Sequence, residues 1–258
     1  MAEPAQSPSD GKILAARVGA TLWDLEVVET SDVAPGMRRI RLTAPGLDAL
    51  APEAGQDLML AVPTDTDLHR RRRYTIRRFV PEALAVDIDI VLHGDGPGAR
   101  WAVSTRPGDH IEAIGPRGKV VLTNDAEWHL FAGDESGIPA TLAMIEALPN
   151  GSSAIALLEV PGRAEEQPVV APGGAVAEVR WLHRGQTEPG RPELLVDAVR
   201  DVAFPDGRGH AYLTGELEVV GAMRQALLAR GLGTDQLSPK PYWRRGVANA
   251  PHGEPPKD

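Results

Sequence analysis

Along the first half of the chain the apolar positions repeat with the short period of strands. Segment 37–42 alternates apolar and charged residues until Pro45-Gly46 stops it, and 22–28, 57–62, 73–80 and 86–92 read as further short strands. A Pro107-Gly108-Asp109 turn precedes one more, over 110–114. Many short strands with such turns predict a small barrel or sandwich, closed so that few strand edges face solvent.

After Leu122 the pattern changes. An apolar strand over 128–132 meets Gly133-Asp134-Glu135-Ser136-Gly137, and a helix follows with Ile138, Leu142, Ile145 and Leu148 on one face until Pro149-Asn150-Gly151. Strands over 154–160, 176–182 and 210–214, a helix over 191–199, and a helix from Gly215-Glu216 to Gly231 complete the series. Repeated strand-then-helix units predict a mostly parallel sheet covered by helices. The chain therefore divides into a flexible N-terminus (1–17), a β-rich module (18–123), an α/β module (124–250) and a flexible tail (251–258).

Composition narrows the chemistry. With 42% hydrophobic and 24% charged residues the chain is an ordinary globular one, and its 258 residues suffice for a core in each module. The absence of cysteine removes disulfides, thiolate nucleophiles, iron–sulfur clusters and cysteine-ligated zinc. No apolar run approaches the roughly 20 residues that cross a bilayer, and the first ten residues are acidic rather than signal-like; the expected location is the cytoplasm. A net charge of −9 argues against a nucleic-acid surface. Yet Arg70, Arg71, Arg72, Arg73, Arg77 and Arg78 crowd into nine positions, either a solvated basic stretch or a local anion site.

Two places could hold a phosphate. Arg73-Tyr74-Thr75 puts a charged fork, a ring and a hydroxyl together on a strand, the tools for a diphosphate and a planar ring. The turn from His93 through Gly96-Pro97-Gly98-Ala99 starts a short helix containing Trp101; it is either a backbone N–H cradle or a glycine-rich turn before a core tryptophan. Asp134, Glu135 and Ser136 lie at the carboxyl end of a sheet strand, where open α/β sheets bind ligands, but without a GxGxxG fingerprint; helix capping explains them equally well, as it does Gly215-Glu216. No histidine spacing marks a metal site, and neither a G-x-S-x-G elbow nor a Walker A sequence occurs.

The ordered series Arg73-Tyr74-Thr75-Ile76-Arg77, His93-Gly94 to Gly98, Trp101-Ala102, Gly115-Pro116-Arg117-Gly118, Gly133-Asp134-Glu135-Ser136, Trp181-Leu182-His183-Arg184, Gly215-Glu216 and Tyr242-Trp243-Arg244-Arg245-Gly246 resembles the siderophore-interacting protein family. These are FAD-dependent ferric-siderophore reductases related in fold to ferredoxin reductases. The resemblance spans 18–247 and implies a six-stranded antiparallel FAD-binding β-barrel followed by a C-terminal Rossmann-like, NAD(P)H-binding α/β domain. It implies that Arg73 contacts the FAD diphosphate, Tyr74 lines the flavin, and Thr75 positions the reactive ring edge. His93, Gly96, Pro97, Gly98 and Ala99 would form the diphosphate turn, with Trp101 fixing it. Asp134, Glu135, Ser136, Gly215 and Glu216 would belong to the nicotinamide side. The chain departs from the family in two places: Ser136-Gly137 stands for a usual Thr-Ala, which would loosen that turn, and Pro241 stands where a glycine commonly precedes Tyr-Trp.

The implied reaction is hydride transfer from NADH or NADPH to the flavin and single-electron delivery to Fe(III) in a ferric siderophore or other ferric chelate, with ferredoxin an alternative donor. No acid–base residue and no protein metal site are required. Arg71, Arg72, Arg77, Lys240, Arg244 and Arg245 are the candidate basic rim for an anionic chelate, and Arg163 and Arg184 the candidate partners of a 2′-phosphate. The expected form is a monomer. A general flavin or ferric-chelate reductase and a non-catalytic siderophore-binding protein are the alternatives.

Overall fold

A computed structural model describes residues 10–64, 70–92 and 94–247. Six strands, β1 (Thr21–Ala34), β2 (Met37–Thr43), β3 (Asp57–Val62), β4 (Arg70–Val80), β5 (Ala85–Val91) and β6 (His110–Arg117), close into a barrel in the order β1-β2-β5-β4-β3-β6. Every neighbouring pair is antiparallel. Alternation explains the closure: Ile88 and Ile90 of β5 join Leu25, Val27, Ile40, Leu42, Leu58 and Leu60 inside, while Asp87 and Asp89 point the other way. Across the β2–β5 pair, Arg39 holds Asp89 at 2.7 and 2.8 Å and Arg41 holds Asp87 at 2.8 and 2.9 Å, each through a two-pronged guanidinium. The helix α2 (Pro97–Ser104) lies between β5 and β6 and buries Trp101 in the barrel core.

The N-terminus departs from its expected flexibility. Residues Asp10–Val18 form a helix, α1, that lies beside β1 and β6 and buries Gly11 and Ala15. Residues 1–9 and the tail 251–258 lie outside the described residues.

The second module follows as β7 (Trp128–Gly133), α3 (Ile138–Glu146), β8 (Ser153–Val160), β9 (Val176–His183), α4 (Glu193–Asp201), β10 (Gly209–Glu216), α5 (Leu217–Ala229) and β11 (Leu237–Trp243). Its five strands run parallel in the order β11-β10-β7-β8-β9. The chain starts at the centre, moves outward to β9, then returns to the other side of β7. The strand order thus reverses between β7 and β10, and in open parallel sheets the carboxyl ends of the strands at such a reversal are where ligands bind. One face of the sheet packs on α4 and α5 through Leu130, Leu157, Leu195, Leu213 and Met223. The other packs on α3 and also on the barrel, where Ala34 and Met37 join Phe131, Leu142, Leu158 and Tyr212. The barrel is therefore docked through a shared apolar core, and the Tyr212 hydroxyl accepts the N–H of Thr123, in the connecting segment, at 2.8 Å.

Candidate functional site between barrel and sheet

On β4 successive side chains alternate in direction, so Tyr74 turns with Ile76 toward the barrel core and Arg73 and Thr75 turn away from it. The Tyr74 hydroxyl reaches α2 so closely that a Cβ added to Gly98 would stand 1.7 Å from it. Glycine at 98 is what lets the β4 ring and the helix start share this space. Burial pushes the Tyr74 hydroxyl up to about 12, against a smaller pull from Arg72, and the group stays a neutral donor. The N-terminus of α2 is capped by Gly96 without any side-chain hydrogen bond, and Pro97 opens the helix. The first N–H groups of a helix lack intrahelical partners, so those of Gly98 and Ala99 are available to an anion. Trp101 is a core residue, as the reading of a glycine-rich turn before a core tryptophan expects. His93 lies outside the described residues.

Arg73 is part-exposed, and its nearest carboxylate, Asp57, is 3.9 Å away. Thr75 pairs with Asp57 across β3 and β4 and is buried. Asp57 in turn accepts from Lys240 Nζ at 3.1 Å, joining β11 to the barrel. Burial lowers the Lys240 pKa, but Tyr242 and Asp57 outweigh it, and the net direction is upward.

The expected basic rim does not assemble as one surface. Arg77, only 5% exposed, donates to Glu146 of α3 at 2.9 and 2.6 Å, and Lys240 is buried with Asp57; both are interior ties between the modules. Arg71 is paired with Glu112, and Arg72 donates to the Arg71 carbonyl at 2.9 Å. A buried cation is costly unless it is paired or hydrogen-bonded, so these arginines and the lysine are occupied where sequence alone shows only their charge. Arg244 and Arg245 are exposed.

At the carboxyl edge of the sheet, Asp134 is buried and works as a junction. It accepts from the Ser136 N–H at 2.9 Å and from the Ser136 hydroxyl, from the Glu216 N–H at 3.0 Å, and from the Trp243 indole at 2.8 Å. Burial and then the neighbouring Glu135 raise its pKa, and the hydrogen bonds from Ser136 and Trp243 offset this only in part. Gly215 has φ +116 and leaves Asp134 no room for a Cβ there. Glu216 caps α5, accepting from the N–H of Glu218 at 2.6 Å and Val219 at 3.1 Å, and also takes the Arg245 N–H at 3.1 Å. The capping alternative is thus realised for Asp134 and Glu216, whose side chains face inward. The turn at Ser136-Gly137 is not loose: a Cβ on Gly137 would stand 1.9 Å from Thr214 Oγ1, so the glycine accommodates the threonine of β10. Pro241 is accommodated too, pairing with Gly215 on the sheet's edge strand, with a register shift before Glu216 and Trp243.

Beside this junction Arg184 donates to both oxygens of Glu135 at 2.7 Å and lies 3.7 Å from Glu159. Arg163 is exposed in a short turn after β8. Sequence reasoning missed Asp57, Glu146, Thr214 and Trp243 as site residues, because each meets its partner across the fold rather than along the chain. Among the described residues no cluster of three or more His, Asp or Glu is placed to hold a metal, and no helix is long and apolar enough to cross a membrane.

A closed six-stranded barrel, whose α2 start has no side-chain cap and meets a strand tyrosine, docked on a parallel sheet with a central switch point, is the architecture of the ferredoxin-reductase-like flavoproteins. The chain matches the siderophore-interacting FAD-binding domain over 55–120 and the siderophore-interacting protein model over 126–246. It is 34% identical, with a TM-score of 0.81, to the crystal structure of a siderophore utilization protein from T. fusca, covering 90% of this chain and 96% of that one. An uncharacterized protein of Mycobacterium tuberculosis is 32% identical over 88% of this chain and 92% of its own length. The ferric vibriobactin reductase ViuB of Vibrio cholerae is 34% identical over 68% of this chain and 65% of its own length. The chain belongs to the siderophore-interacting protein family.

Proposed function

We propose that this protein is a cytoplasmic FAD-dependent reductase that passes electrons from NAD(P)H to Fe(III) held in a siderophore, so that the iron leaves as Fe(II). The observation that carries the reading is the meeting of Tyr74 with Gly98, which sets a ring, a neutral hydroxyl and a helix N-terminus with no side-chain cap at one place. These residues fit an FAD. When bound, the flavin supplies the conversion of a two-electron donor into single-electron steps, chemistry that no side chain performs. The protein's part is position and charge. The N–H groups of Gly98 and Ala99 and the part-exposed Arg73 would hold the diphosphate, Tyr74 would wall the ring, and Thr75 would fix its reactive edge. The Lys240–Asp57 and Arg77–Glu146 pairs hold the two modules in register. Arg244 and Arg245 would attract an anionic chelate. Fe(II) is a softer ion than Fe(III) and binds hard oxygen ligands less tightly, so reduction loosens the chelate.

The test is anaerobic stopped-flow mixing of FAD-loaded protein with NADH, NADPH or reduced ferredoxin, followed by ferric siderophores with an Fe(II) trap. The expected result is loss of the oxidised flavin band on reduction and its return with Fe(II) formation. Protein that takes up no FAD would favour a siderophore-binding role instead, and FAD protein that is reduced but never reoxidised by a ferric chelate would sink the acceptor assignment. A general ferric-chelate reductase is the second reading, favoured because two exposed arginines recognise charge rather than shape. Equal rates on dissimilar chelates of equal charge would select it.

A further inference from the structure

Nucleotide sites of parallel α/β sheets separate the two nicotinamide donors at one position: a carboxylate meets the ribose 2′-hydroxyl, and an arginine meets a 2′-phosphate. Both kinds of group stand at the carboxyl edge of this sheet, and here they are bonded to each other. Glu135 follows β7, Glu159 lies near the end of β8, and Arg184 follows β9. Arg184 gives its Nη1 to Glu135 Oε2 and its Nη2 to Glu135 Oε1, both at 2.7 Å, and Nη1 is 3.7 Å from Glu159 Oε1. The side chains of Glu135, Arg184 and Glu159 are 13%, 8% and 3% exposed. The most accessible member of the triad is therefore a carboxylate.

We infer that the Glu135–Arg184–Glu159 triad makes the donor site of this chain select the 2′-hydroxyl nucleotide, NADH, and reject NADPH. The inference rests on the proposed role of the second module as the NAD(P)H site. A guanidinium binds a phosphate well when a two-pronged edge is open to it; Glu135 already fills the Nη1–Nη2 edge of Arg184, and burial leaves little of the rest accessible. A 2′-phosphate would have to displace Glu135, leaving it and Glu159 inside the protein without their cation and beside a new dianion. A ribose hydroxyl meets no such conflict. A carboxylate has about four lone-pair directions, so Glu135 can accept from a hydroxyl while still holding Arg184. The field around the triad points the same way: burial pushes the Glu159 carboxyl up to about 7, and although Arg184 draws it down, Asp134, Glu135 and Glu193 raise it further. Another anion at this edge enters an already acidic neighbourhood.

The test is calorimetric titration of the FAD-loaded protein with NAD+ and with NADP+, which reads binding without turnover. The expected result is an NADP+ dissociation constant roughly tenfold or more above that of NAD+. Glu135→Gln releases Arg184 from its charged partner, and the NADP+ to NAD+ ratio should fall by about tenfold; the double variant E135Q/R184A should lose that gain. Should E135Q fail to fold, judged by its flavin spectrum and thermal midpoint, Glu159→Gln keeps the two-pronged pair and should lower the ratio by about threefold. NADP+ binding as tight as NAD+ in the unaltered protein would overturn the inference and point to another cation, the exposed Arg163. An unchanged ratio in the variants would overturn it as well. Failure of both nucleotides to bind the FAD-loaded protein is a different result: it removes the donor role of the module, and the selection with it.

Discussion

At Gly98, two opposing effects fix what a single methyl group would do. The residue is helical, and alanine in a helix is worth about 1 kcal/mol over glycine, so Gly98→Ala should stabilise if nothing else changed. The added Cβ would instead stand 1.7 Å from the Tyr74 hydroxyl and 3.1 Å from its Cζ. The ring or α2 must shift, at a cost of roughly 1–3 kcal/mol. We expect G98A to weaken FAD binding by about tenfold, measured by quenching of flavin fluorescence, because a 1 Å displacement is costly in a preorganised site. Tyr74→Phe in the G98A background removes the closest atom and should recover part of the affinity; no recovery would mean that Tyr74 is not what the glycine makes room for. Arg73-Tyr74-Thr75 was legible in the sequence because its three chemistries are contiguous. The fate of Arg77 was not, because its partner Glu146 is 69 positions away and a sequence displays charge without displaying what neutralises it. Gly137 looked like a loosened turn for the same reason, since Thr214 fills the space from another strand.

Whole elements were legible wherever one face repeats. The alternation in β2 and the apolar run in β3 needed no tertiary information, and the strand-then-helix order of the second module gave its parallel sheet. The strand β11 was missed because Pro239 and Pro241 argue against a strand. Two residues apart, they direct their missing N–H groups to the same side, and β11 forms the sheet's edge, where such donors have no neighbouring strand to serve. The helix α1 was missed because its nine residues carry little pattern of their own; burial of Gly11 and Ala15 is supplied by the barrel. Element logic also separates capping from ligand binding at Glu216. If its carboxylate serves α5, Glu216→Ala leaves the part-buried N–H of Glu218 and the buried N–H of Val219 without their acceptor and costs about 1–2 kcal/mol with no nucleotide present. For a chain of this size that lowers the thermal midpoint by roughly 2–8 °C. A midpoint within about 1 °C of the unaltered protein would return Glu216 to the list of ligands.

At the scale of the whole molecule, the two modules share a core and are tied by buried charges, so stability should respond to pH through groups that no local pattern reveals. Arg77→Ala would leave Glu146, itself part-exposed, with only the exposed Arg78 at 3.2 Å as its cation, and should cost about 1–2 kcal/mol in a denaturant titration; a loss below about 0.5 kcal/mol would show that the tie is merely superficial. Two buried groups contribute to the pH response with opposite sign. His129 is fully buried beside the stacked rings of Phe131 and Tyr212, and neither ring nitrogen has a hydrogen-bond partner among the described residues. Burial, with a smaller contribution from His210, lowers it from 6.5 to about 4. Its contribution to stability is therefore complete above about pH 6.5 and is lost as pH falls toward about 4, because the unfolded chain takes up a proton that the folded one refuses. Glu159 behaves in reverse: burial raises it from 4.5 to about 7, so its contribution is complete below about pH 4.5 and is lost as pH rises through about 7. Across the shared window, from about pH 6.5 down to about pH 5, each group changes stability by roughly 2 kcal/mol, at 1.36 kcal/mol per pH unit, and the two changes oppose each other. The unaltered protein should accordingly show little pH dependence from this pair, and single variants should expose each half. Relative to it, His129→Phe should gain midpoint on acidification from about pH 6.5 to about pH 5, and Glu159→Gln should lose it, each by roughly 4–8 °C. Thermal scans of the three proteins at the two pH values read this directly. Parallel shifts in the two variants would show that at least one of these side chains does not titrate as its burial requires.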